Sequence, residues 1–63
     1  MIIQFKRSEY LKYDYEIWVN GKLTDYRIAK DNGWYYVYEQ GHILDRFDYY
    51  NKAKAFIEQR LMK

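Results

Sequence analysis

His42 is the one histidine of this 63-residue chain, and Glu39 and Asp45 stand near it. Imidazole and carboxylate are the groups that ligate zinc or move protons, so these three residues raise the first question of chemistry. A single histidine among scattered carboxylates has no zinc-site spacing, and the absence of cysteine removes thiolate ligation. Asp45 and Asp48 come closest to a carboxylate pair for acid–base work. Their odd spacing places them on opposite faces of a strand, and Asp48 has another expected use as the N-cap of a following helix. There is no Ser-His-Asp set, and the three glycines all fall at expected turns rather than in a phosphate loop. The residues therefore read as a non-enzyme, with no catalytic residue, no metal and no cofactor.

The second chemistry on offer is aromatic. WYYVYEQGHILDRFDYY, residues 34–50, holds seven rings in seventeen positions, and Phe, Tyr and Trp make up 22% of the chain. A chain of this length buries only about 60% of its unfolded surface, so large rings are the expected way to fill a core without disulfides. Rings are also the residues that anchor protein interfaces and stack on nucleic-acid bases. The basic residues outnumber the acidic by eleven to nine, a net +2, which is too small a bias to imply a polyanion partner by itself. Lys52, Lys54 and Arg60 make a basic stripe that reads first as a solvated helix face.

These side chains must be positioned by a sheet. YDYEIWV, residues 13–19, alternates as a half-buried strand. Asn20-Gly21 and Asn32-Gly33 are strong type I′ hairpin signals, because both central positions of that turn need positive φ. They flank a return strand, KLTDYRIAK, and lead into WYYVYE. Gln40-Gly41 marks a further turn before HILDRF, and IIQFKR near the N-terminus reads as an added edge strand. From residue 49 the period becomes helical, with Tyr49, Ala53, Phe56, Ile57 and Leu61 on one side. The expectation is one α+β domain: a three- to four-stranded antiparallel meander over about residues 2–47, packed on a C-terminal helix over about 49–62.

Two-residue loops fix the registers. Ile17 is expected opposite Thr24, Tyr15 opposite Tyr26, Ile28 opposite Val37 and Lys30 opposite Tyr35. These residues, with Tyr13 and Leu44, form an aliphatic face. The other face carries Trp18, Leu23, Arg27, Ala29, Trp34, Tyr36 and Tyr38, with Ile43 and Phe47 added by the last hairpin. One helix covers one face, yet both are apolar, and a large uncovered apolar patch marks an interaction site. If the helix takes the aliphatic face, the open rings stand among Asp14, Glu16, Asp25, Asp31 and Asp45, with only Arg27 positive, a surface for a basic protein. If it takes the tryptophan face, the open rings Tyr13, Tyr15, Tyr26 and Tyr35 stand beside Lys22, Lys30 and Arg46, a surface for nucleic acid.

The run from Gly33 to Ile57, an aromatic strand, a Q-G turn, I-L-x-R-F-D and a helix x-A-K-A-F-I, resembles the strand–strand–helix unit of short phage-encoded proteins. It is similar also to the AP2-like DNA-binding domains at the front of phage-type integrases, whose sheets present basic residues to DNA. The first resemblance implies a phage or mobile-element inhibitor of a bacterial nucleic-acid-processing or defence protein. Trp18, Trp34, Tyr36 and Tyr38 would be its anchors, and Asp25, Asp31 and Asp45 would meet basic residues on the target. The second implies a nucleic-acid-binding module using Lys22, Arg27, Lys30, Tyr35 and Arg46. A homodimer that buries the second face against its own copy is a third arrangement. No stretch approaches membrane-spanning length, and a bacterial host cytoplasm is the expected location.

Overall fold

A computed structural model describes all residues, Met1–Lys63. The chain forms a five-stranded sheet followed by one helix: β1 (Ile3–Arg7), β2 (Tyr15–Val19), β3 (Lys22–Asp31), β4 (Trp34–Glu39), β5 (His42–Phe47) and α1 (Tyr50–Leu61). The strands are antiparallel and lie in chain order, β1-β2-β3-β4-β5, so the α+β meander is as expected. It has one strand more than the three or four expected, because the N-terminal segment pairs along β2 from Ile3↔Val19 to Arg7↔Tyr15.

All three tight hairpins have the same backbone. Asn20 and Gly21, Asn32 and Gly33, and Gln40 and Gly41 each sit at positive φ, 51–52° at the first position and 78–82° at the glycine. That is the type I′ geometry whose twist matches the flanking strands. Asparagine adopts it readily; glutamine is the unusual occupant.

The registers depart from simple hairpins in two places, and both matter for the exposed surface. Between β2 and β3, Glu16 faces Arg27 and Trp18 faces Leu23, so two steps on β2 span four on β3. Tyr15 therefore pairs with Ile28 rather than Tyr26, and Ile17 has no single partner. The bulge carries its own hydrogen bonds. The Thr24 hydroxyl donates to the Ile17 carbonyl at 2.7 Å and accepts the Tyr26 N–H at 3.2 Å. Arg27 Nη1 donates to the carbonyls of Thr24 and Tyr26 at the bulge.

Between β4 and β5, Tyr38 faces Ile43 but Val37 faces Asp45, so Leu44 is an extra residue. One inserted residue reverses the alternation beyond it. Phe47 now pairs with Tyr35 and packs on Phe56 under the helix, not on the tryptophan face. Asp45 leaves that face, and Arg46 joins it opposite Tyr36.

The helix covers the aliphatic face. Ile17, Ile28, Val37, Ala53 and Ile57 are fully buried between sheet and helix, with Tyr26 nearly so. Full burial of each large aliphatic side chain contributes about 1.5–3 kcal/mol. Tyr50, rather than Tyr49, completes the helix's inner face: its ring stacks on Tyr15 at 4.6 Å and leans on Tyr35 at 5.8 Å, while Tyr49 is exposed. Tyr49 occupies the N-cap position without a side-chain cap, and Asp48 instead pairs with Lys52 one turn on, at 3.1 Å.

Candidate functional site

With the helix on one side, the other side of the sheet stands open. Its side chains form rows across the strands, given by the registers. One row runs Lys6, Glu16, Arg27, Tyr38 and Ile43 from β1 to β5. The next holds Ala29, Tyr36 and Arg46, and a third holds Asp31 and Trp34. Trp18 and Leu23 stand at the far end of β2 and β3. Both tryptophans share this face, as do Tyr36, Tyr38 and Ile43, in agreement with the sequence reading. Tyr13 is an addition. It precedes β2 rather than belonging to it, and its ring meets Tyr38 edge-on at 5.1 Å, so it stands on the open face and not under the helix.

Ala29 is the smallest residue in the middle of this surface. Flanked by larger side chains, it leaves a concavity of about 430 Å³ lined by Lys12, Ala29, Lys30, Asp31, Tyr36, Tyr38 and Ile43. Lys12 arrives from the loop between β1 and β2. That loop is closed by the Ser8 N–H on the Asp14 carbonyl at 3.0 Å and the Tyr13 N–H on the Tyr10 carbonyl at 3.2 Å. Leu11 stands fully exposed at the loop's tip.

The electrostatics of the face differ from the acidic surface expected. Glu16 is buried, accepts the Trp18 indole N–H at 2.7 Å and the Glu9 N–H at 3.4 Å, and stands between Lys6 and Arg27 in its row. The Asp14 carboxylate accepts the Lys30 N–H at 2.6 Å, and Asp25 accepts from the Gln40 amide at 3.3 Å. Asp45 turns back to its neighbour's N–H, at 2.7 Å from Arg46. Asp31, beside Trp34, keeps no such partner. The cations are held differently. Lys6 lies 4.5 Å over the Trp18 ring, Arg46 4.3 Å over Trp34 and Lys12 5.4 Å over Tyr13. Ring-to-cation attraction of this kind positions the charge without neutralising it.

The residues of the expected nucleic-acid set are scattered by the fold. Tyr35 is half-buried against Tyr50, and Lys30 rests 5.5 Å over the Tyr35 ring. Lys22 stands at the β2–β3 turn. Arg27 is occupied by the bulge carbonyls, and Arg46 is on the opposite face from Tyr35. His42 is exposed opposite Glu39 at the β4–β5 turn, and Glu39 faces the helix side, 3.5 Å from Arg60. No three His, Asp or Glu side chains converge as a metal-holding group. No helix is long and apolar enough to cross a membrane.

Comparison with known protein families, with curated proteins and with solved structures gives no match.

Proposed function

We propose that this protein is a non-enzymatic interaction module that works through the open aromatic face of its sheet. In its concrete form it is a small phage or mobile-element protein that binds, and so inhibits or regulates, a bacterial nucleic-acid-processing or defence system. One observation carries the reading: the single helix lies on the aliphatic face, so Trp18, Trp34, Tyr36, Tyr38 and Ile43 share a surface that no helix or second sheet covers. Uncovered rings gathered on one face of a small domain mark a contact site, and aromatic residues are the side chains that dominate such contacts. Trp34, Tyr36 and Tyr38 are the anchors along β4, with Trp18 at the far end of the face and Asp31 beside Trp34.

The expected match to a basic target has lost its support, because Asp45 leaves the face, Arg46 enters it, and Asp25 stands at the Gln40 turn. The face shows Lys6, Lys12 and Arg46 without carboxylate partners beside the exposed Asp14, Asp25 and Asp31, and those unpaired cations are free to meet anionic groups.

The module reading is tested by placing a photo-crosslinking amino acid at Tyr36, and in a second variant at the exposed helix position Gln59, in bacterial cells. Macromolecular adducts formed from position 36 and not from 59 support the face as the working surface. Equal labelling from both positions, or none from position 36, would sink it.

A further inference from the structure

The charged residues of this chain are used asymmetrically, and the asymmetry identifies a ligand class. Eight of the eleven basic side chains lie over an aromatic ring: Lys6, Arg7, Lys12, Lys30, Arg46, Lys52, Lys54 and Arg60. Only Lys52 and Arg60 also reach a carboxylate. Most carboxylates, by contrast, have partners within the chain, with only Glu16 buried and Asp14, Asp25, Asp45 and Asp48 still exposed. Six of the nine, Asp14, Glu16, Asp25, Glu39, Asp45 and Asp48, accept a hydrogen bond or ion pair from within the chain. The surface thus displays cations and rings together while its acids are engaged with their own backbone and neighbours.

On the open face this becomes a path. Trp34, Tyr36 and Tyr38 alternate along β4, so their rings follow one another on one side at roughly 7 Å, two strand residues per step. The concavity at Ala29 opens beside Tyr36 and Tyr38, with Tyr13 edge-on to Tyr38. Lys12, over Tyr13, lines it together with Asp31, and Lys6 and Arg46 stand elsewhere on the face, over Trp18 and Trp34. Successive flat rings, spaced as an extended chain and bordered by unpaired cations, meet the two requirements of single-stranded nucleic acid: stacking for bases and positive charge for phosphates. A duplex keeps its bases stacked inside and offers these rings nothing. An acidic protein surface would use the cations but has no recurrent planar group for the row of rings.

We propose that the open face binds single-stranded nucleic acid with little sequence preference, its bases stacking on Trp34, Tyr36 and Tyr38 and its phosphates meeting Lys6, Lys12 and Arg46. This rests on the open face being the working surface, as proposed above, and names what occupies it.

The test uses the full chain with a labelled oligothymidine of about 12 nucleotides, a duplex of equal length and polyglutamate, read by fluorescence anisotropy and tryptophan emission. The single strand should bind best and quench the tryptophans. Three phosphate contacts on a single strand predict a slope of about −2 in log affinity against log salt. Trp34→Ala and Tyr36→Ala should each weaken binding by about tenfold, the scale of one lost stacking platform. Lys6→Gln and Arg46→Gln should each reduce the salt slope, while Lys54→Gln, on the helix side, should not. Far-ultraviolet circular dichroism on every variant separates loss of binding from loss of fold; where Trp34→Ala unfolds, Arg46→Gln carries the test. Equal or tighter binding of duplex or polyglutamate would overturn the assignment, as would no binding to any of the three. If Tyr36 crosslinking still succeeds in cells with protease-sensitive adducts, the module stands and only the ligand class falls.

Discussion

Two arginines on one face show how differently the same residue type is used. Arg27 Nη1 serves two carbonyls of the β3 bulge, whereas Arg46 rests on the Trp34 ring and is otherwise exposed. Removing Arg27 takes away both of these hydrogen bonds, together worth about 1–3 kcal/mol. Arg27→Ala should therefore lower stability by that amount in urea unfolding, and lysine should restore little, since one ammonium lacks the planar fork. Arg46→Ala should shift stability by no more than about 0.5–1 kcal/mol. If the two variants were equally damaging, the division between structural and ligand-facing cation would be wrong. Tyr50 adds a titration. Burial first, and then the neighbouring Tyr15 and Tyr35, hold its phenol above the usual value of 10.0. A group whose folded pKa is raised binds its proton more firmly in the folded state. Its stabilising contribution is complete below pH 10 and is lost as pH rises through the folded value. Thermal melts at increasing pH beyond 10 should fall more steeply for the wild type than for Tyr50→Phe; parallel curves would exclude this role.

At the scale of elements, turns were readable and bulges were not. Asn20-Gly21 and Asn32-Gly33 announce their hairpins because few residues accept positive φ, and the shift from alternation to helical spacing marks α1. The face of Trp18, Trp34, Tyr36 and Tyr38 follows from that alternation alone. The single-residue bulge at Leu44 and the wider one at Thr24–Tyr26 have no such local signature. They arise where side chains and the helix compete with ladder pairing, so Phe47 is drawn under Phe56 and Arg46 is turned outward. The exchange of Asp45 for Arg46 on the open face follows from the Leu44 bulge, while the rings keep the face that alternation gives them. Gln40 is the element-scale weak point, since glutamine holds φ of 52° without asparagine's tolerance for it. Gln40→Asn should stabilise the domain by about 0.5–1 kcal/mol, less any loss of the exposed amide contact to Asp25. The melting temperature should rise by roughly 2–8 °C for a domain of this size. A lower melting temperature would mean that the Asp25 contact outweighs backbone strain.

The whole molecule has a thin core on one side of a sheet whose other side is held ready by its own charges. A two-fold dimer closing face to face would bury the rings, and the apolar area of Trp18, Leu23, Trp34 and Ile43 favours it. It would also take Lys6, Lys12 and Arg46 of both copies out of water, with Asp31 on the same face the carboxylate left to pair with them. Unpaired charge taken from water opposes association by several kcal/mol, more than scattered apolar contacts return. The chain should therefore sediment with the mass of one 63-residue protomer across micromolar concentrations at low salt. Trp34 should remain open to a neutral quencher, because it keeps about a third of its surface. Adding salt weakens the repulsion among these cations, so any self-association should grow with ionic strength, opposite in sign to the loss expected for nucleic acid. A dimer that forms at low salt and shields both tryptophans would assign the open face to a second copy of the chain, and single-stranded nucleic acid would then have to compete with it.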